Sequence, residues 1–234
     1  MISNIDSAGP TTDPTDTRGD ARGRTTLRRL GAGALIGGPV LFLAGMLTCP
    51  PQASESTADY VTSLARDSGQ TQLSSILLHY GTLISALGLL AVPGLVRGAR
   101  GRAATLVGTL LAAVSLLNIS GAVKDDWWRM EIGQRLPLEA AVRISDAVDG
   151  ASLMPLWRGT SMFAQLGLLL ICVGLARAGV VGWWLTFAFV GTFAAVMFTP
   201  VHLTLVMGAV FSLLLLPLVV AGVRIAGRER GSAA

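Results

Sequence analysis

The chain has 234 residues, 52% of them hydrophobic and only 14% charged, with a formal net charge of +4. A soluble domain carries about 25% charged residues, so this composition excludes an ordinary water-soluble fold and points to membrane-spanning helices. The basic excess does not make a nucleic-acid-binding face, because the arginines stand beside apolar runs, where membrane topology accounts for them.

Residues 1–27 are rich in Asp, Thr, Gly, Pro and Arg and almost free of apolar side chains, which predicts a disordered cytoplasmic tail. The run TTLRRLGAGALIGGPVLFLAGMLTCPP follows. Arg28-Arg29 imitates a twin-arginine export signal, and MLTC at 46–49 imitates a lipoprotein cleavage box. Thr48 stands where that box needs a smaller residue, and the run is long enough to span, so it reads as an uncleaved first helix.

Apolar runs at roughly 30–49, 73–96, 103–123, 160–178, 180–199 and 201–223 predict an all-α bundle of six transmembrane helices. The membrane domain is expected over 28–225, with a cytoplasmic tail at 226–234. With the N-terminus inside, the cytoplasmic segments hold twelve of the eighteen Lys and Arg, including RGARGR at 97–102. The opposite loops hold six basic and nine acidic residues. Charge thus predicts an N-in, C-in protein of the cell membrane.

Two outer segments read as short interfacial helices. In SESTADYVTSLARDSG, Ser56 and Asp59 suggest a capping box, Tyr60, Val61 and Leu64 share a face, and Gly69 is expected to end the helix. In LPLEAAVRISDAVDG, Pro137 suits a first helical position and Glu139, Arg143 and Asp146 share a polar face. Gly33 and Gly37 form a GxxxG, the spacing that lets two helices approach closely, and mark a face for packing or homo-oligomerisation. Pro39, Pro93 and Pro217 are expected to bend their helices. Cys49 and Cys172 are expected at depths roughly 18 Å apart, too far to pair.

His79, Asn118 and Gln165 are predicted to fall in one polar layer beneath the outer surface, with His202 opening the last helix at the rim. No cofactor is expected. The two histidines differ in depth, which disfavours axial haem ligation, and zinc needs a third or fourth ligand, for which Asp125 and Asp126 are the available acids.

The stretch KDDWWRM at 124–130 carries two readings. Trp127, Trp128, Trp157, Trp183 and Trp184 are explained as an aromatic belt at the two interfaces. Alternatively, Asp125 faces down the Asn118 stripe into the bundle. A carboxyl in a partly apolar site holds its proton, and tryptophan faces stabilise a nearby cation. On this reading Asp125 and Asp126 are candidate acids and His79 the candidate base. Trp127, Trp128, Asn118, Gln165, Trp157 and His202 line an outward-opening pocket for a hydrophobic, isoprenoid-like molecule.

TTLRRLGAGALIGGPVLFLAG, LLHYGTLI, VPGLVRG and LARAGVVGWW resemble small multi-pass membrane proteins of actinobacteria. In size and layout the chain also resembles bacterial membrane-bound terpene cyclases. That resemblance implies acid-initiated, metal-independent cyclisation inside a helical bundle. Two other expectations stay open: a non-enzymatic membrane subunit or envelope protein, and a small exporter. Membrane lipid is an expected partner in all three cases.

Overall fold

The computed structural model describes residues 14–233, with side chains described for residue 23 and for 25–228. The predicted tail falls partly on residues 1–13, which lie outside the described residues. All regular structure among the described residues is helical. The helices are α1 (Pro14–Leu47), α2 (Thr57–Arg66), α3 (Ser68–Leu89), α4 (Arg102–Ala122), α5 (Lys124–Arg135), α6 (Leu138–Asp149), α7 (Met154–Arg177), α8 (Trp184–Phe198), α9 (Thr204–Leu213) and α10 (Leu216–Ala233). The backbone of α1 continues from Pro14, through part of the segment read as disordered.

Among the described residues four helices are long and apolar enough to cross a membrane, or five if the bent pair α9–α10 is counted as one crossing. The pair bends by 43°. Pro217 lies at the bend and has no N–H to give to the preceding turn. Pro93 sits in the 3₁₀ turn Val92–Leu95, and α3 stops at Leu89, short of the expected 96. The helix α8 has 15 residues, about 22 Å at 1.5 Å per residue, against a hydrocarbon core of about 30 Å.

The close packing rests on a spacing of seven. Gly31, Gly38 and Gly45 of α1 face Gly81 and Gly88 of α3, and Gly101 and Gly108 face Gly167 and Gly174 across α4 and α7. A Cβ on Gly81 would lie 2.6 Å from the Phe42 backbone nitrogen, and one on Gly108 would lie 2.6 Å from the Gly167 carbonyl oxygen. Small residues at this repeat let backbones touch along a shared seam. Gly33 and Gly37 are different: nothing lies within 4 Å of a Cβ built on either. Their face of α1 is open, so the internal contacts of α1 use the other glycines.

The short helices α2, α5 and α6 pack on one another as a cap at one end of the bundle. The helix α5 was not foreseen. It continues α4, and together they form a 34-residue helix, Arg102–Arg135. That is about 51 Å long, so its charged half projects beyond any span centred on the uncharged 103–123. Ser56 caps α2 by accepting from the Asp59 N–H at 3.1 Å, as its sequence suggested. Gly69 does not end α2. Asp67 separates the helices and caps α3 by accepting from the Gln70 N–H at 2.9 Å, which leaves Gly69 in the first turn of α3. Pro137 is the N-cap of α6, one position before the expected one. Cys49 and Cys172 are both free.

Candidate functional site

The cap is organised by one side chain, Arg129, which is 3% exposed. It lies one turn after Asp125 on α5, so both point the same way. Its Nε donates to Asp125 at 2.7 Å, and a terminal nitrogen donates to Asp149 of α6 at 2.6 Å. Arg158 of α7 donates to the same Asp149 oxygen. The Arg129 guanidinium also sits 5.7 Å from the Tyr60 ring centroid, within cation–π range. Tyr60 donates its hydroxyl hydrogen to Asp126. Thr57 of α2 donates to Asp146 of α6 at 2.8 Å. A single network therefore ties α2, α5, α6 and α7 together.

Environment separates the three acids. For Asp149, burial opposes ionisation, but the hydrogen bonds from Arg129 and Arg158 outweigh it and hold the carboxyl below its usual range. Asp126 goes the other way. Loss of hydration pushes its carboxyl up to about 6, with the charge of Asp125 adding and Tyr60 and Arg129 opposing. The Tyr60 hydroxyl is raised well above its usual value, first by burial and then by Asp126. Asp125, paired with Arg129, is partly exposed.

Asp126 carries a pH prediction. A carboxyl raised on folding holds more protons in the folded state between its usual 3.8 and about 6. Cap stability must fall as pH rises through that window. Amide exchange of α2 and α5, corrected for intrinsic rates, should lose protection over this window in the wild type. It should lose less in Asp126→Asn. Identical profiles would remove Asp126 as the cause.

The predicted single pocket is divided into four spaces. A charged cleft of about 380 Å³ is lined by Tyr60, Asp125, Asp126, Arg129, Asp149 and Arg158, among others. A neighbouring pocket of about 400 Å³ brings Asp125 beside Trp128, Trp157 and Arg158. A lateral groove of about 340 Å³ holds His79 and Trp127. An apolar chamber of about 380 Å³ holds Gln165. Asn118 and His202 line none of the four.

His79, Asn118 and Gln165, expected in one polar layer, do not meet around one space. His79 faces α4, with its Nδ1 2.8 Å from Ser120 Oγ and 3.0 Å from the Ser120 carbonyl oxygen. Asn118 faces α7 and donates to Thr160 Oγ1 at 2.6 Å and to the Trp157 carbonyl at 3.2 Å. Asp125 is bonded to Arg129, one turn further along α5. His202 lies in the turn before α9 and does not open a helix. Trp127, Trp128 and Trp157 cluster near the cap, while Trp183 and Trp184 lie at the far end; all five are partly exposed. Among the described residues no three His, Cys, Asp or Glu side chains gather to hold a metal ion.

The chamber lies between the two glycine-seamed pairs. Phe42 and Met46 of α1, Leu78 and Thr82 of α3, Leu116 and Ile119 of α4, and Ala164, Gln165 and Leu168 of α7 form its walls; α8 and α9 close it with Phe193, Met197 and Phe211. Glycines draw helices together within each pair, while large side chains hold the pairs apart. The Thr82 hydroxyl is committed to the Leu78 and His79 carbonyls. Neither the half-buried Gln165 amide nor the Ser161 hydroxyl, which also lines the chamber, makes a hydrogen bond among the described residues, so both are uncommitted polar groups of an apolar space. Sequence reasoning missed Arg129, although the Asp125/Arg129 spacing signalled it, and missed the glycine heptads that enclose the chamber. No family model matches the chain, and neither the curated proteins nor the solved structures yield a match.

Proposed function

We propose that this protein binds a hydrophobic, isoprenoid-like molecule in the apolar chamber, with a polar atom of the ligand on the Gln165 amide. The observation that supports this most is the chamber itself. Its volume of about 380 Å³ falls within the range of small-molecule pockets, which are mainly apolar with a few placed polar groups. Asp125, Asp126 and His79 are not among its walls. Binding is therefore the reading the geometry favours over acid-initiated cyclisation.

The test is photolabelling with a diazirine-bearing polyprenyl alcohol, mapped by peptide mass spectrometry. Label on α7 and α8 around Gln165 and Met197, reduced in Ser161→Phe and Gln165→Leu, is the expected result. Label confined to the outer, lipid-facing side chains would overturn the reading. The terpene cyclase version makes a separate claim, that Asp126→Asn abolishes turnover while ligand binding survives.

We also propose that the chain crosses the cell membrane six times, N-in and C-in, α8 making the fifth crossing in a locally thinned bilayer. The basic loop at 97–102 and Arg224 and Arg228 then share the cytoplasmic side, and the cap lies outside. In a Cys49→Ser, Cys172→Ala background, Glu139→Cys should react with an impermeant maleimide on intact cells, and Gly98→Cys only after lysis. The reverse pattern would invert the topology.

A further inference from the structure

The lateral groove lies between α3 and the α4–α5 junction, and is lined by Ser75, Ile76, His79, Tyr80, Val123, Lys124 and Trp127. Ile76, Tyr80 and Trp127 are 43%, 51% and 39% exposed, so the groove faces sideways, toward the leaflet at the cap end. Its polar groups are set in register by the His79–Ser120 contact. Ser75 lies one turn nearer the cap than His79, and Lys124 one turn nearer the cap than Ser120. With α3 and α4 antiparallel, Ser75 and Lys124 stand level across the groove, just above His79.

Three of these groups are uncommitted. The Ser75 side chain is 3% exposed and its Oγ has no hydrogen-bond partner. A buried hydroxyl without a partner is costly and calls for an explanation. Ser85, Thr109, Ser145 and Thr186 share that condition, but none of them lines any of the four spaces described above. His79 uses Nδ1 on Ser120, and its Nε2 makes no hydrogen bond among the described residues. Nδ1 faces the Ser120 carbonyl, which only accepts, and Ser120 Oγ donates to the His79 carbonyl at 3.3 Å, so Nδ1 carries the hydrogen and Nε2 of the neutral ring offers an acceptor. Lys124 is exposed and, among the described residues, forms no ion pair, whereas Arg129, Arg135 and Arg158 all do. No acidic side chain lines the groove.

We infer that this groove is a site for an anionic phospholipid of the cap-end leaflet. Its phosphate takes hydrogen bonds from Ser75 Oγ and Lys124 Nζ, a headgroup hydroxyl donates to His79 Nε2, and an acyl chain runs along Ile76 and Tyr80. Two donors and one acceptor above an apolar wall match the division of a phospholipid into headgroup and chain. Tryptophan and lysine are the side chains that settle at that depth, Lys124 extending its charge to the headgroup level. The single lysine selects an anionic headgroup over a zwitterionic one.

Native mass spectrometry of the full chain, released from mixed phosphatidylglycerol and phosphatidylcholine of matched acyl chains, tests the site. Phosphatidylglycerol should be retained with a preference of about fivefold, roughly what one lysine beside an anionic surface supplies. Lys124→Gln should bring the ratio close to one, and Ser75→Val should weaken retention of both lipids. Arg143→Gln, which removes an exposed charge from α6, should leave the ratio unchanged, as should Ser161→Phe in the chamber. A wild-type ratio of one, or an equal loss in Arg143→Gln, would overturn the site.

Discussion

Gly81→Leu and Gly167→Leu should each fold less stably than the wild type, whereas Gly33→Leu should match it. A Cβ at Gly81 would lie 2.6 Å from the Phe42 nitrogen and 2.9 Å from its Cα, and a Cβ at Gly167 would lie 2.5 Å from the Ala112 nitrogen. These are backbone atoms, so no rotamer change relieves the clash and the helices must separate. Overpacking of this kind costs about 1–3 kcal/mol or more. At 2–4 °C per kcal/mol for a chain of this size, the melting midpoint in detergent should fall by about 2–12 °C. Gly33 and Gly37 have nothing within 4 Å, so their leucine variants should keep the midpoint. If that open face pairs two copies of the chain, they should change only the oligomeric mass. Equal destabilisation at Gly33 and Gly81 would contradict the seven-residue seams.

Arg129→Met should release the cap while leaving the spanning helices protected. Arg129 is buried and holds Asp125 and Asp149 at 2.7 and 2.6 Å. Removing one partner of a buried pair costs about 3–5 kcal/mol. The exposure of Asp125 and Asp149, 42% and 25%, puts the expected loss near the lower figure. About 3 kcal/mol speeds exchange of the amides in α2, α5 and α6 roughly a hundredfold, while α1, α3, α4 and α7 stay slow. Asp125→Asn added to Arg129→Met should recover part of the loss, because Asp149 keeps Arg158 and neither acid that Arg129 held is then left as an unpaired charge. Uniform exchange across all helices would mean the cap is not a separate unit.

Four of the spans, and a fifth if the bent pair α9–α10 is one crossing, were legible because a long apolar run has one solution in lipid, a helix with its backbone satisfied internally. Ser56 with Asp59 announced the start of α2, because the cap is a local hydrogen bond. Gly69 misled because Asp67 offered α3 a stronger start two residues earlier. That His79, Asn118 and Gln165 share no space was not legible for a different reason. Depth along a helix can be counted from its ends, but rotation about the axis depends on which neighbour takes the seam. Asn118 turned to α7 and His79 to α4, so residues at matching depth do not meet. Arg129 and Asp149 are twenty positions apart, and only the packing of α6 on α5 brings them together. The glycine seams were visible at 31, 38 and 45, at 81 and 88, at 101 and 108, and at 167 and 174. The adjacent Gly33/Gly37 pair drew attention from them.

Native mass spectrometry of the wild type and Ser161→Phe, purified in mild detergent, tests the chamber most directly. The expected spectrum shows one retained hydrophobic molecule of defined, isoprenoid-like mass, bound one to one in the wild type and lost in Ser161→Phe. Phospholipid alone, retained equally by both proteins, would contradict ligand binding in the chamber.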